Sequence, residues 1–437
     1  MQRSARAAVT GVGVIALAGV LLAVGTALGS PSDPQPGVST PTAQEATGAR
    51  RATGLEALQA DAERVPRDPA RWSALGLAYV QQARLTADPS WYAKADEALD
   101  RSMQIEPAEN AEALTGQAAL AAGQHNFADA LRLSNASLAL NDYSPTTYGV
   151  HVDALTEMGR YDEALTTAQR MLALRPGLDS YSRLSYAFEL RGDIPRARLA
   201  LEEAGKSATT PADQAFVRFY LGELAFSQGD LAGAAGFYDE ALQADPTYLS
   251  AQAGRGKVRA ATGETDAALA DYRAVVDRLP QPSYLVELGE LLEATGNVAE
   301  AQEQYDVVRI LQQAFASTGS DVDSELALFE ADHGDPAAAL RFAEQAYRDR
   351  PDTISVQDAY AWALHANGRS DEALPVARQA LRLGTRNPTL LAHLGTIEAA
   401  AGDRAAARTH LSAALELNPA FNPLLAPRAE ELLASLP

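Results

Sequence analysis

The residues in this chain that could do chemistry are few, and each stands in the wrong setting for it. Gly205-Lys206-Ser207 has the ending of a phosphate-cradling loop. Such a loop needs its first glycine five positions earlier, after a strand, and Ala200 stands there instead. Asp321, Asp323, Glu325 and Asp332 have the 1, 3, 5, 12 spacing of a calcium loop. The sharp turn at position 6 needs glycine and finds Leu326, and position 12 offers Asp for the bidentate Glu. The six histidines are scattered, and His365 and His393 lack a third ligand partner in sequence. Cysteine is absent, which removes disulfides, thiolate zinc sites, thiol nucleophiles and cysteine-linked lipids. No catalytic constellation, cofactor or metal is expected, and the chain does not read as an enzyme.

The elements themselves are far more legible. Gly222, Gly229, Ala234, Tyr238 and Pro246 each recur 34 residues later, as Gly256, Gly263, Ala268, Tyr272 and Pro280. A period of about 34 is that of a helix-turn-helix unit. With Gly229 and Gly263 at position 15 of the unit, glycine supplies the left-handed turn between helix A and helix B. Small residues at positions 8 and 20 let the helices approach, and proline at position 32 ends helix B. One such pair leaves an apolar face bare, so the units must stack and their ends must be capped.

At these residues the chain resembles the tetratricopeptide repeat family. The fullest matches are Leu221, Gly222, Ala234, Tyr238, Ala241 and Pro246, then Leu394, Gly395, Ala407, Leu411, Ala414 and Pro419; the first unit carries Trp72, Leu75, Gly76 and Tyr79. The resemblance runs from about Asp68 to Pro419. It implies an all-α right-handed superhelix of about ten helix pairs with capping helices, whose A helices line a concave groove that holds a protein or peptide. Carried over by position, the groove residues are Tyr186, Glu189, Phe216, Phe219, Glu223, Phe226, Lys257, Glu290, Glu293, Trp362 and His365. The competing reading of the Phe216, Phe219, Glu223, Phe226 stripe is packing between neighbouring A helices. The family's basic clamp for a C-terminal carboxylate is missing, since only Arg183 and Lys257 stand near its positions.

Four segments follow from the pattern. In residues 1–29, Arg3 and Arg6 precede an uncharged run from Ala7 to Leu28, long enough to span a bilayer with its N terminus in the cytoplasm and the repeats outside. The alternative is a cleaved signal ending at Ala27-Leu28-Gly29, which would leave a secreted, chaperone-like binding protein. Residues 30–54, with Pro31, Pro34, Pro36 and Pro41, read as a flexible tether. Residues 55–420 form the solenoid, and 421–437 a capping helix. Repeat one carries surplus residues at 86–91, placed between its two helices because Asp88-Pro89 breaks a helix. Repeat two is irregular around His125, and repeat seven needs a longer second helix, because its turn glycine, Gly296, precedes Gly334, the turn glycine of repeat eight, by 38 residues.

The formal net charge of -21 makes a nucleic-acid role improbable. Between Glu287 and Asp335 stand twelve carboxylates and one base, Arg309. That segment is either a solubilising face or an attractor for a cationic partner.

Overall fold

The computed structural model describes residues 43–86, 88–316 and 324–436, so the apolar N-terminal run and most of the tether lie outside the described residues. Helix α1 (Ala43–Arg64) opens the described chain. It starts inside the stretch read as tether: beyond Pro41 the composition turns to Ala, Gln, Glu and Arg, which favour helix. Ten antiparallel pairs follow. The first five are α2 (Pro69–Thr86) with α3 (Ser90–Ile105), α4 (Ala111–Gly123) with α5 (Phe127–Leu140), α6 (Pro145–Glu157) with α7 (Tyr161–Leu174), α8 (Leu178–Glu189) with α9 (Ile194–Lys206), and α10 (Pro211–Ser227) with α11 (Leu231–Ala244). The second five are α12 (Leu249–Ala261) with α13 (Thr265–Arg278), α14 (Pro282–Ala294) with α15 (Val298–Ala316), α16 (Ser324–His333) with α17 (Pro336–Asp349), α18 (Ile354–Ala366) with α19 (Ser370–Ala380), and α20 (Pro388–Ala400) with α21 (Arg404–Leu417). Helix α22 (Leu425–Ser435) covers the last pair. No strand occurs among the described residues.

Each pair is built as the spacing requires. The turn glycines 159, 192, 229, 263, 296, 368 and 402 all have φ between 66° and 88°. The aspartates after three of them, Asp193, Asp230 and Asp403, then cap the next helix through their side chains. In repeat two the left-handed residue is His125, at φ 62°. Repeat eight departs from the expectation, since Gly334 is not among the left-handed glycines. There the Glu330 carboxylate accepts from the Asp335 amide at 2.9 Å and Asp335 caps α17, which closes the turn without that conformation.

Close helix approach is set by position 8. A Cβ on Gly222 would lie 2.5 Å from the Tyr238 ring, and one on Gly254 of the next A helix would also lie 2.5 Å from it. Tyr238, fully buried, therefore wedges two consecutive A helices against their own B helix. Leu99 fills the same place against Gly76 and Gly116 in repeats one and two. In repeat one α2 ends at Thr86 and α3 begins at Ser90, within the stretch where the surplus residues stand. Trp91 stacks on Tyr79 with centroids 5.7 Å apart, and the Tyr92 hydroxyl donates to the Gly123 carbonyl at 2.8 Å, so this aromatic pair is packed on its own repeat and the next.

The coil also meets itself. Three buried side chains from the loops after the B helices of repeats eight, nine and ten cap carbonyls at the ends of the A helices of repeats three, four and five. Thr353 donates to the Glu157 carbonyl at 2.5 Å, Thr385 to the Leu190 carbonyl at 2.5 Å, and Asn418 to the Phe226 carbonyl at 2.7 Å. The Glu157 carboxylate pairs with Arg350 at 3.0 Å, and the Ile354 amide donates to the Tyr161 hydroxyl at 2.8 Å. Carbonyls at a helix C terminus have no intrahelical partner, so Thr353 and Thr385 supply donors that the repeat alone does not, while Asn418 adds a second donor to a carbonyl that already accepts from the Gly229 amide at 2.9 Å.

Candidate partner-binding surface

The A helices α8, α10, α12 and α14 carry the densest set of candidate residues, and burial separates them into classes. On α10, Phe226 is buried, while Phe216 and Phe219 are half-buried. Phe216 lies 4.7 Å from Tyr220, and Phe219 lies within about 6 Å of Tyr220, Tyr238 and Tyr248. The stripe is thus an aromatic cluster that ties α10 to α11 and to the start of α12, with part of its surface still open.

Glu223, on the same stripe, is a hub. It accepts from the Tyr238 hydroxyl at 2.5 Å and from Lys257 of α12 at 2.7 Å and 2.9 Å. Lys257 also lies 5.0 Å from the Phe226 ring centroid. Burial works against the Lys257 ammonium, but Glu223 and Glu287 outweigh it and hold its pKa above the ordinary lysine value. One helix back, Glu189 ends α8 and has no hydrogen-bond or ion-pair partner among the described residues. Burial, and then the charge of Glu223, push its carboxyl up to about 7. Tyr186, one turn earlier, packs with Tyr161, Leu190 and Ile354 at the place where the coil meets itself.

Glu290 and Glu293 are held from within. Glu290 faces His333 at 3.3 Å and accepts from the side chain of Asn422, just before the capping helix, at 2.8 Å. Glu293 accepts from the Tyr305 hydroxyl at 3.1 Å and lies 3.9 Å from Arg428 of α22. Burial raises the third member of that row, Glu287, although Lys257 opposes the shift. The repulsion among these carboxylates is therefore offset by the protein's own donors.

Trp362 and His365 sit apart, on α18. Trp362 is buried, donates to Asp332 at 2.8 Å and stacks on His393 at 4.0 Å; His393 in turn faces both oxygens of Asp358 at 3.0 Å. His365 also stacks on Trp362, at 5.1 Å, and lines a cleft of about 650 Å³ together with Leu432 and Leu436 of the C-terminal segment. The structure thus groups Tyr186, Glu189, Phe216, Phe219, Glu223, Phe226 and Lys257, places Glu290 and Glu293 beside the capping helix, and leaves Trp362 and His365 in a separate cluster.

Positional carry-over missed several residues. Arg183 is buried in a two-pronged pair with Asp153 of the preceding A helix, at 2.9 Å and 2.7 Å, so neither it nor Lys257 is open to a ligand carboxylate. Two aligned polar residues on successive A helices are a signal the sequence does carry. Tyr220 and Tyr248, which complete the aromatic cluster, carry no positional signal. The calcium-like spacing falls partly outside the described residues, and Glu325, Leu326 and Asp332 lie within the regular helix α16. Lys206 closes α9 and pairs with Glu203 at 2.5 Å, as a helix end should. No group of three His, Asp or Glu side chains suited to a metal occurs among the described residues. None of the described helices is long and apolar enough to cross a membrane.

Two family models, both described as tetratricopeptide repeat, match this chain, one over residues 239–386 and the other over 150–213 and 191–248. Protein FlbA of Caulobacter vibrioides is 27% identical over 195 residues, which are 41% of this chain and 31% of that protein. The chain thus spans about a third of the length of that curated relative. Among solved structures it is similar to the Cut9 and Hcn1 hetero-tetramer of the APC/C (14% identical, 90% of this chain, 94% of that chain, TM-score 0.40). It is also similar to human IFIT1 (16% identical, 85% of this chain, 88% of that chain, TM-score 0.45). With ten stacked helix pairs and left-handed turn glycines at the family's position, the chain belongs to the tetratricopeptide repeat family, whose members serve as protein-protein interaction scaffolds.

Proposed function

We propose that this protein is a non-enzymatic adaptor of the cell envelope that holds an extended, cationic peptide or protein segment against the A helices of repeats four to six. The observation that carries the reading is the half-buried row of Glu189, Phe216, Phe219 and Glu223. It combines aromatic surface with a carboxyl that has no hydrogen-bond or ion-pair partner among the described residues and is held near neutrality by burial and Glu223. A lysine or arginine brought to Glu189 supplies the missing counter-charge, and the phenylalanine faces take its stem. The envelope location rests on Arg3 and Arg6 before the apolar run, and a secreted form would follow if the leader is removed before Ser30.

The test is a peptide array. Segments rich in Lys and aromatic residues should be retained over acid-rich ones of equal length. Retention should weaken as the Debye length falls from about 10 Å to about 3 Å with added salt. Glu189→Lys should abolish the preference. Retention indifferent to both salt and the substitution would remove the cationic partner from the reading. Glu290 and Glu293 are poor places for the same test, because reversing them also breaks the contacts with His333, Tyr305 and Asn422.

A further inference from the structure

The place where the coil meets itself differs from every other interface in the molecule. Its contacts fall at equivalent points of three successive repeats, each pairing a repeat with the one five units on. The turn glycines take part as well. A Cβ on Gly159, Gly192 or Gly229 would collide with the backbone carbonyl of Asp352, Gly384 or Leu417, whereas the same atom on Gly263, Gly296, Gly368 or Gly402 meets nothing within 4 Å. The apolar part of this seam is small: Tyr161, Leu190, Ile354 and Ala380 are its buried members, against fifteen in the cluster that joins repeats six, seven and eight. Half-buried Tyr186, Leu383 and Leu390 pack against them. The polar part is the three side-chain caps, the Glu157–Arg350 pair and the amide of Gln228 donating to the Arg386 carbonyl at 3.2 Å. A seam of this composition is separable. Parting it exposes few apolar groups, its freed carbonyls can be hydrated, and no repeat loses a sequence neighbour.

We propose that this seam is a clasp. Repeats three to five and eight to ten separate and rejoin as units, with the bend shared over the intervening repeat junctions. The separation is the route by which a segment reaches the A-helix face bearing Tyr186 and Glu189. Only what enters rests on the function proposed above; the opening itself does not, and its test uses no partner.

The absence of cysteine allows a single thiol to report access. Glu189→Cys would probe the enclosed face, and Leu199→Cys, at a position 55% exposed on α9, the outside. Each is labelled with a maleimide carrying a long polyethylene glycol chain, and exchange of the Ile354 amide is followed by hydrogen-deuterium mass spectrometry, since its acceptor lies across the seam. In the parent chain the polymer should label Cys at 189 at least about tenfold more slowly than at 199. Combining Thr353→Val, Thr385→Val and Asn418→Leu removes the three side-chain caps that cross the seam, which should raise both Ile354 exchange and labelling at 189 by about tenfold or more, with labelling at 199 unchanged. Should that triple variant lose helix content, Tyr161→Phe serves instead, with labelling at 189 raised about fivefold. Equal polymer rates at 189 and 199 in the parent would overturn the enclosure. Faster Ile354 exchange with unchanged labelling at 189 would overturn the clasp as a route of entry.

Discussion

At the scale of single residues, the chemistry of this protein is that of carboxyls taken partly out of water. Glu223 has two donors, Tyr238 and Lys257, whereas Glu189 has none among the described residues and faces Glu223. Its pKa, raised from 4.5 to about 7, means that the folded protein holds a proton there which the unfolded chain releases. Stability should therefore fall as pH rises from about 4.5 to about 7 and stay at the lower level above, because the unfolded state binds fewer protons across that window. Glu189→Gln should remove this slope and stabilise the protein above pH 7 by roughly 1 to 3 kcal/mol, read from urea denaturation at pH 5 and pH 8. A parallel pH dependence in the parent and the variant would show that Glu189 is solvated as freely as a surface carboxyl. Nothing in the sequence marked Glu189 as unusual beyond its family position. The repulsion on it comes from Glu223, a carboxylate 34 positions away on the next A helix.

At the scale of elements, the helix pairs of repeats one and five are each held by one large residue of helix B, Leu99 or Tyr238, set against glycines of two A helices. Tyr238 shows the rule most fully, with Gly222 and Gly254 on either side of its ring and Glu223 at its hydroxyl. Tyr238→Ala should cost about 3 to 5 kcal/mol, since two rigid helices border the cavity and cannot close it. Tyr238→Phe should cost only about 1 kcal/mol, because Lys257 still satisfies Glu223. Chemical denaturation of the two variants checks this, and equal losses would mean that the hydroxyl, rather than the ring, secures the junction. The 34-residue spacing was sufficient to locate this wedge, because position 8 and position 24 recur in the chain itself. The same spacing misjudged the turn at Gly334, where a carboxylate and a proline-led helix start replace the left-handed glycine.

At the scale of the whole molecule, the capping helix and the seam make the solenoid more than a sum of neighbouring units. Asn422 and Arg428 carry the C-terminal segment to Glu290 and Glu293 of repeat seven, so the carboxylate-rich stretch from Glu287 is partly neutralised by the chain's own end. Glu303 and Asp306 of the same stretch are exposed, whereas Glu330 is buried. The orientation we propose at the envelope is tested at this scale too. An alkaline phosphatase fused after Pro437 should be active in cells, and activity of a cytoplasmic reporter fused at the same point instead would reverse the orientation drawn from Arg3 and Arg6. Mass spectrometry of the mature N terminus distinguishes an anchored chain from one that starts at Ser30.

Legible from residue types alone were the local and periodic features: the helix pairs, most of their turns, the wedge residues and the family. Those follow from residue types that repeat at a fixed interval, and each needs only its own unit and the next. Only the tertiary structure decided that repeats five apart touch, that Thr353, Thr385 and Asn418 cap helices far from them in sequence, and that Glu290 and Glu293 are held from within. The physical reason is the pitch of the superhelix. Small rotations at each repeat junction add up over five units, and no single repeat carries the sum in its residues.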